Sequence, residues 1–328
     1  MIFENQIKAI FSGKLLVRHD NAQGIFYFSA ADFPGLRRHD FSFTAGGGHT
    51  LNGCFYHYDD PIPGRLVVFD HGMGNGHLAY MREIEKLCAA GYLVYTYDHT
   101  GCMTSGGEHI GGFAQSLSDL DACIKALKKE PSLNERSIAV MGHSWGGFST
   151  MNITALHPDI THVVSMSGFT CVEQILRQEL RGLMRLYIPS ILALERSHNP
   201  DYVDHCAIRS LKHTTSNVLL IYSADDRTVR KELHYDPLYQ ALSGKKNIHF
   251  LLVDGKDHSP NYTHDAVAYK DTFWKALSQA GKKGLLATAQ QQAEFMSRYD
   301  FRRMTAQDEK VWARILAHLE DTSHDADA

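Results

Sequence analysis

The chain has 328 residues, of which 44% are hydrophobic and 21% charged, and this composition predicts a globular protein with one large core and insertions. Its formal net charge of -4, with no basic cluster among aromatic residues, argues against nucleic acid as a partner. No apolar run approaches the roughly 18 residues of a membrane span, so no integral membrane segment is expected. The beginning of the chain, with Glu4 and no long apolar stretch, differs from a secretory signal and predicts a cytoplasmic location.

The cysteines and histidines do not form a recognisable metal-binding pattern. There is no CxxC pair and no H-E-x-x-H sequence, so we expect neither a metal ion nor another cofactor. The six cysteines are scattered along the chain and are expected to be reduced structural thiols: Cys54, Cys88, Cys102, Cys123, Cys171 and Cys206.

From about residue 41, short apolar runs alternate with longer helical patterns. Two antiparallel strands are predicted first, at 40–44 and 51–58. The later strands are apolar at nearly every position, which is typical of strands covered on both faces; they are expected at 65–70, 92–97, 137–141, 161–167, 217–222 and 247–253. Helices are predicted near 80–90, 113–129 and 266–280, with another that ends before Pro158. This alternation of strand and helix predicts an α/β fold with a mainly parallel sheet.

Three segments do not fit this alternation and define the predicted domain organisation. Residues 1–40 form an N-terminal extension, to which the sequence assigns no role. Residues 41–168 and 217–283 form the α/β core, and residues 169–216, too long for an ordinary crossover, form a helical insertion. Residues 284–328 form a C-terminal extension with two predicted helices.

The sequence Gly142-His143-Ser144-Trp145-Gly146 has the G-x-S-x-G pattern. A predicted strand precedes it and a helix follows, as a nucleophile elbow requires. In such a turn the serine takes a strained backbone conformation, and residues two positions away must be small so that the chain segments can approach. The helix N-terminus also favours negative charge developing nearby. The pattern therefore predicts that Ser144 is a nucleophile.

Three blocks of sequence resemble the α/β-hydrolase superfamily, in particular its serine-aminopeptidase-like and monoacylglycerol-lipase-like branch. They are the loop His71-Gly-Met-Gly with Tyr80 after it, the segment 91–106 with Asp98-His-Thr-Gly101, and the Gly-His-Ser-Trp-Gly-Gly turn. The resemblance spans about residues 40 to 280 and implies an α/β-hydrolase fold whose insertion 169–216 is a helical cap. Met103 departs from the pattern, because a second glycine is common in its place.

The chain order of this fold, serine then acid then histidine, selects the partners of Ser144. His258 follows the last predicted strand and is expected to be the general base; His249 within that strand and His264 at the next helix are poorer candidates. Asp225 and Asp226 both follow the strand 217–222, and either could orient the histidine. The length of the loop and the D-R-x-V pattern of the family favour Asp226.

An oxyanion formed by serine attack needs two backbone N–H donors. One is expected from Trp145, the residue after the nucleophile. The resemblance implies that the other is the amide of Met73, in the glycine-rich loop after the strand 65–70. That loop lacks the lysine and serine of a phosphate-binding loop.

Within the insertion, apolar residues recur at helical spacing, which predicts packing onto the domain or a roof over an acyl pocket. They are Val172, Leu176, Leu180, Leu183, Met184, Tyr187 and Ile188. Arg177, Arg181 and Arg185 form a second stripe, which is more typical of a solvated face than of a site for acidic substrates.

These features predict a serine hydrolase that cleaves a carboxylic ester or related small-molecule acyl compound through an acyl-enzyme on Ser144. A peptidase or acyltransferase with the same three residues, and a non-catalytic binding protein on the same fold, are the alternatives. The acyl-chain preference stays open, and so does the oligomeric state, for which a homodimer is one arrangement.

Overall fold

The computed structural model describes residues 4–20, 25–74 and 76–321. Within them, eight strands form one sheet in the order β1-β2-β4-β3-β5-β6-β7-β8. β1 pairs antiparallel with β2, and β2 pairs antiparallel with β4, whereas all pairs from β4 across to β8 are parallel. The predicted mostly parallel α/β sheet, with two antiparallel strands first, is confirmed.

The strands lie close to the predicted positions. Their bounds are β1 Arg37–Thr44, β2 Thr50–His57, β3 Arg65–Asp70, β4 Leu93–Tyr97, β5 Ser137–His143, β6 His162–Met166, β7 Asn217–Ser223 and β8 Ile248–Val253. β1 begins three residues before the predicted start because Arg37, Arg38 and His39 pair with the end of β2. These exposed residues carry no apolar alternation that could have marked them as strand.

Twelve α-helices connect and flank the strands in the described part of the chain. They are α1 Glu4–Leu15, α2 Met81–Ala89, α3 Gln115–Leu127, α4 Trp145–Asn152, α5 Val172–Glu179, α6 Ile188–His198, α7 Ala207–Lys212, α8 Lys231–Leu242, α9 His264–Lys282, α10 Ala289–Met296, α11 Phe301–Met304 and α12 Glu309–Glu320. Short 3₁₀ helices lie between several of them, including His77–Tyr80 before α2 and Gly182–Tyr187 before α6.

The central strands of the sheet are buried on both faces, and their alternate residues belong to different cores. In β3, Leu66 and Val68 pack into one core, while Val67 and Phe69 pack into the other. All four side chains are essentially inaccessible to solvent. This arrangement explains why the strand is apolar at consecutive positions, since a strand with one wet face would alternate.

As far as residue 321, the C-terminal extension contains three helices rather than the two that were predicted, because the single turn α11 separates α10 from α12. On α12, Val311, Trp312, Ile315 and Leu319 are buried in the core on the second face of the sheet. The last described helix therefore covers the sheet itself, and its spacing of apolar residues is that of a helix with one buried face.

The carboxyl ends of β3, β5, β7 and β8 lie at one edge of the sheet, because these strands are parallel. The loop that begins at His71, the turn at Ser144, the loop that contains Asp226 and the loop that contains His258 all begin there. In open parallel sheets this edge is where ligands bind.

Two histidines are buried against carboxylates near this edge. His77 Nδ1 lies 2.8 Å from Asp98 Oδ1, and His99 lies between Asp70 and Asp119, at 2.9 and 3.2 Å. Burial acts to lower the pKa of both imidazoles, but the carboxylates outweigh it. They raise the pKa of His77 to about 9 and that of His99 to about 10.

These pairs predict that the protein loses stability in mild alkali. A histidine whose folded pKa exceeds its unfolded value contributes fully below pH ~6.5, and the contribution is lost as pH rises through the folded pKa. We expect the free energy of unfolding to fall between pH 6.5 and 8.5, by roughly 1 to 2 kcal/mol for each histidine. When the free energy of unfolding is measured by denaturant titration at several pH values, its decrease with pH in His77→Gln should be about half that of the wild type. His39→Gln, at an exposed position, should keep the full slope; an unchanged slope in His77→Gln would contradict the assignment.

Candidate active site

Ser144 lies in a sharp turn between β5 and α4, with φ of 57° and ψ of -109°. A positive φ is unusual for a residue with a side chain and marks a strained turn. Two glycines make the turn possible. A Cβ atom on Gly146 would lie 2.0 Å from the carbonyl oxygen of Asp70, and one on Gly142 would lie 2.4 Å from the carbonyl oxygen of Gly146. The local geometry is that of the predicted elbow.

Asp226 and His258 are brought together from the loops after β7 and β8. His258 Nδ1 lies 2.8 Å from Asp226 Oδ2. The other carboxylate oxygen accepts hydrogen bonds from the backbone N–H groups of Thr228 and Val229, at 2.8 and 2.9 Å. Burial acts to raise the pKa of Asp226, but the hydrogen bond and charge of His258 outweigh it and lower the pKa. The carboxylate is therefore ionised and fixed in position.

Asp225 has a different set of partners. It accepts hydrogen bonds from the hydroxyl of Ser223 and from the backbone N–H groups of Lys256 and Asp257. These contacts tie the β7 loop to the β8 loop without reaching His258. The less favoured histidines also lie elsewhere: His249 is within β8, and His264 is at the start of α9 with Nε2 2.9 Å from the carbonyl oxygen of Asp254.

A cavity of about 520 Å³ lies over the turn and is largely apolar. Ser144 and His258 both line it, as do Met73 and Trp145, whose amides were predicted to bind an oxyanion. In the part of the chain that the structure describes, the backbone N–H groups of Met73 and Trp145 donate no hydrogen bond to another backbone group. Apolar residues from the insertion, from α1 and from the loops before α3 and α8 complete the walls: Phe11, Leu15, Phe113, Phe169, Ile175, Leu176, Leu180, Met184, Ile191 and Val229.

The insertion contributes to this cavity through α5, the following 3₁₀ helix and α6. Ile175, Leu176 and Ile191 are buried, whereas Leu183 and Leu186 are exposed. α6 is attached to the core by Glu195, whose carboxylate accepts a hydrogen bond from the backbone N–H of Phe113 at 2.9 Å. The expected arginine stripe is exposed, and Arg177 pairs with Glu173 one turn away. This fits the solvated face favoured by the sequence.

A chain of hydrogen bonds connects three loops of the site through His143 and Tyr80. The backbone N–H of Gly72 donates to the Tyr80 hydroxyl at 3.1 Å, and this hydroxyl lies 2.9 Å from His143 Nδ1. His143 Nε2 lies 2.7 Å from the carbonyl oxygen of His258 and must donate to it. Burial and the neighbouring His258 lower the pKa of His143 to about 3, so its ring is neutral. Nδ1 is then the acceptor for Tyr80.

Sequence reasoning missed the roles of His143 and of the N-terminal helix. His143 occupies a variable position of the G-x-S-x-G pattern, so the pattern says nothing about its partners. Phe11 and Leu15 are one helical turn apart, which was the available signal that α1 has a buried face. The surface against which α1 packs could not be predicted, because the contact joins residues distant in sequence. Phe11 packs against Phe113 with ring centroids 6.2 Å apart.

The six cysteines are free thiols. The backbones of Cys171 and Cys206, both within the insertion, form an isolated antiparallel β-bridge. Over the described ranges, no cluster of three or more His, Cys, Asp or Glu side chains could hold a metal ion. The same ranges contain no helix with the length and apolar character to cross a membrane.

The fold and the turn define an α/β-hydrolase, and comparison with known proteins agrees. Residues 61–265 match the family model described as "Serine aminopeptidase, S33". The chain belongs to this family, and the predicted resemblance is confirmed. By fold, the chain is similar to the esterase Pf2001 of Pyrococcus furiosus, with a TM-score of 0.58 and 18% identity. That alignment covers 80% of this chain and 98% of the esterase.

Curated relatives of the chain include an acylamino-acid-releasing enzyme, a monoacylglycerol lipase and an esterase. The chain is 24% identical to the mouse acylamino-acid-releasing enzyme over 59% of its own length, and 30% identical to a monoacylglycerol lipase of Mycolicibacterium smegmatis over 33%. It spans only 28% and 39% of the lengths of these two proteins. It is also 28% identical to the esterase YjfP of Escherichia coli, over 56% of this chain and 76% of that one. The proteins that the chain resembles thus carry the names of a lipase, of esterases and of an acylamino-acid-releasing enzyme.

The hydrogen bonds of Tyr80 predict a loss of stability when its hydroxyl is removed. Tyr80→Phe leaves Gly72 N–H and His143 Nδ1 without this partner, and an unmade buried hydrogen bond costs about 1–3 kcal/mol. We expect a fall of this size in the free energy of unfolding, measured by urea denaturation. Tyr239→Phe, at a half-exposed tyrosine, is the control and should change stability by less than about 0.5 kcal/mol. Equal effects of the two substitutions would contradict the proposed hydrogen-bond chain.

Proposed function

We propose that the protein is a serine hydrolase that cleaves carboxylic esters or related acyl compounds, with Ser144 as nucleophile, His258 as base and Asp226 as orienting acid. The observation that carries the proposal is the strained turn of Ser144 in the wall of an apolar cavity that His258 also lines. The ionised Asp226 behind the imidazole supports it, because a carboxylate on Nδ1 leaves Nε2 free of its proton.

In the first half of the reaction, Ser144 Oγ attacks the carbonyl carbon and its proton moves to His258 Nε2. The carbonyl oxygen becomes an oxyanion, for which the N–H groups of Met73 and Trp145 are the proposed donors. When the tetrahedral intermediate collapses, the bond to the leaving group breaks and His258 gives the proton to the leaving atom. Asp226 stabilises the imidazolium between the two transfers.

In the second half, water takes the place of the leaving group. His258 removes a proton from the water, the hydroxide attacks the acyl-enzyme, and the carboxylic acid leaves as the proton returns to Ser144. No step needs a group other than these side chains and water. The insertion acts as a cap, since its buried residues on α5 and α6 form part of the acyl-binding wall.

The test of the proposed function is labelling by a fluorophosphonate probe, which reacts with activated serines. We expect the wild type to be labelled and Ser144→Ala to be unlabelled, with the kcat for p-nitrophenyl esters lowered at least about 10³-fold. Ser132→Ala, at an exposed serine, should be labelled like the wild type. A folded wild-type protein that resists the probe and cleaves no ester would exclude this function.

The two aspartates are predicted to differ sharply in importance. Asp226→Asn replaces the acceptor of the His258 Nδ1–H and favours the wrong tautomer, so we expect kcat to fall by about 10³- to 10⁴-fold. Asp225→Asn keeps a residue of the same shape that contacts only the loop backbone and Ser223, and should cost less than about tenfold. Steady-state measurement of kcat for both variants tests this difference. A larger loss of kcat in Asp225→Asn than in Asp226→Asn would assign the acid role to Asp225.

The apolar cavity predicts how acyl-chain preference responds to added bulk. Leu176 on α5 is buried in its wall, so Leu176→Trp should fill part of the cavity. We expect kcat/KM for decanoate esters to fall about tenfold relative to acetate esters, because the longer chain loses its room. Leu183→Trp changes an exposed leucine of the same insertion and should leave this ratio unchanged. A uniform loss across all chain lengths in Leu176→Trp would contradict the acyl-binding wall.

A further inference from the structure

A second cavity, of about 350 Å³, adjoins the first. Tyr80, His143 and His258 line both cavities, so the imidazole proposed as the base belongs to a wall that the two share. Much of the rest of the first cavity comes from the insertion and α1. The second takes them from the loop after β8, from α9 and from residues near both ends of the chain.

Residues outside the family match form much of the second cavity. The match covers residues 61–265, whereas Ile25 and Phe26 precede it and Lys270, Trp274 and Phe301 follow it. The segments that this chain adds to the family core thus converge beside His258. This gives the terminal segments a definite place at the site, which their sequence did not reveal.

The outer part of the second cavity is aromatic. Phe26 and Phe301 stack with ring centroids 4.4 Å apart, and Trp274 lies on α9 in the same wall. Phe26 is 40% exposed and Trp274 39% exposed, so the cavity opens to solvent between apolar groups. Such a wall suits a flat or branched apolar group of modest size.

The inner part of the cavity carries a cation. Lys270 Nζ donates to the hydroxyl of Ser259 at 3.1 Å and lies 5.2 Å from the ring centroid of Tyr262. Among the described residues, no carboxylate oxygen lies within 4 Å of this ammonium, and Ser259 provides its one hydrogen bond. An ammonium has three donors, so Lys270 retains donors for a ligand.

Two acidic groups beyond 4 Å modulate the charge of Lys270, and one of them, Glu83, also lines the second cavity, where burial raises its pKa and so disfavours its charged form. Glu83 is buried and accepts hydrogen bonds from the side-chain amides of Asn261 and Gln307, at 2.9 and 3.2 Å. Asp257 is engaged by Arg227. Burial lowers the pKa of Lys270, and the charges of Glu83 and Asp257 only partly offset this effect. A negative group beside the ammonium would favour its charged form.

We propose that the second cavity binds the leaving group of the substrate and selects leaving groups that combine an apolar or aromatic body with a carboxylate. The inference rests on the proposed acyl hydrolysis. In that reaction His258 must pass a proton to the leaving atom, so the leaving group lies beside the imidazole while the acyl chain occupies the first cavity. Its apolar body then contacts the wall of Phe26, Trp274 and Phe301, and its carboxylate binds Lys270.

The reaction of such a substrate is an ordinary acyl transfer to water. The bond between the acyl carbon and the leaving oxygen or nitrogen breaks, and the proton that His258 took from Ser144 goes to that atom. The product released from the second cavity is an alcohol, phenol or amine that carries a carboxylate. The carboxylate itself does not react; it contributes binding energy at a distance from the scissile bond.

A pair of esters that differ in one charge tests the proposal. The 4-carboxyphenyl and 4-carbamoylphenyl esters of butanoic acid have the same acyl chain and leaving groups of nearly the same shape, one anionic and one neutral. After correction for their rates of hydroxide hydrolysis, we expect kcat/KM to be about tenfold higher for the anionic ester, the effect of one charge-assisted hydrogen bond. The 4-(aminomethyl)phenyl ester, a cation, should be the poorest substrate.

Variants at Lys270 assign this preference to its charge. Lys270→Met should lower the ratio of kcat/KM between the anionic and the neutral ester to about one, and Lys270→Arg should keep the wild-type ratio. Lys275→Met is the matched control, because Lys275 lies on the same helix, is exposed and pairs with Asp271. It should behave like the wild type. Loss of the preference in Lys275→Met as well would overturn the assignment.

A binding measurement separates this proposal from the proposed function. Trp274 lines the cavity, so 3-phenylpropanoate should change the tryptophan fluorescence of the wild type, and the change should be lost in Lys270→Met and with 3-phenylpropanamide. Ester cleavage with neither charge preference nor binding would overturn the second-cavity proposal and leave acyl hydrolysis standing. Binding that depends on Lys270 without cleavage of any ester would support an anion site and exclude the hydrolase.

Discussion

The close approach of α4 to the end of β3 is the constraint on which the site depends. With Gly146 against the carbonyl group of Asp70, the helix begins directly behind the sheet edge, and Ser144 is held with a positive φ at its N-terminus. Ser149, one turn into α4, donates to the Asp70 carboxylate and so fixes the helix to the same strand. Any side chain on Gly146 would push α4 away and remove the serine from the wall of the cavity.

The same strand end is joined to the rest of the site by buried polar contacts. His99 lies between Asp70 and Asp119, and its backbone N–H donates to His71 Nε2 at 3.0 Å, directly before the glycine-rich loop. On the other side, the bonds from Gly72 through Tyr80 and His143 reach the backbone of His258. Buried polar networks of this kind favour one arrangement of the segments that they join. The loop proposed to bind the oxyanion and the loop of the proposed base are therefore set relative to Ser144 by the same network.

The sequence predicted the parts of this arrangement that local chemistry encodes. Strands such as 65–70 are apolar on both faces, and G-x-S-x-G requires glycine for steric reasons, so the sheet and the turn at Ser144 were readable. Of the two aspartates, Asp226 is the one that contacts His258. Even Met103 is consistent with the family pattern, since its φ of 48° is in the region that glycine favours. The parts that were not readable, such as α1 against Phe113 and α12 on the sheet, depend on contacts between residues distant in sequence.

The two cavities are lined by different segments of the chain, and this suggests that different segments determine different parts of the substrate specificity. The first is lined in part by the insertion 169–216. Glu195 of this insertion accepts a hydrogen bond from the amide of Phe113, and Trp145 Nε1 donates to the carbonyl oxygen of Phe113 at 2.7 Å. Burial raises the pKa of Glu195 to about 7, against the opposing effect of its hydrogen bonds, so this attachment carries a partial charge near neutral pH. The second cavity depends instead on the chain ends and on Lys270. His258 lines both cavities. Under the proposed function, changes in the insertion alter the acyl group that is accepted, whereas changes in the segments around Phe26 and Phe301 alter the leaving group. The core between them could remain unchanged.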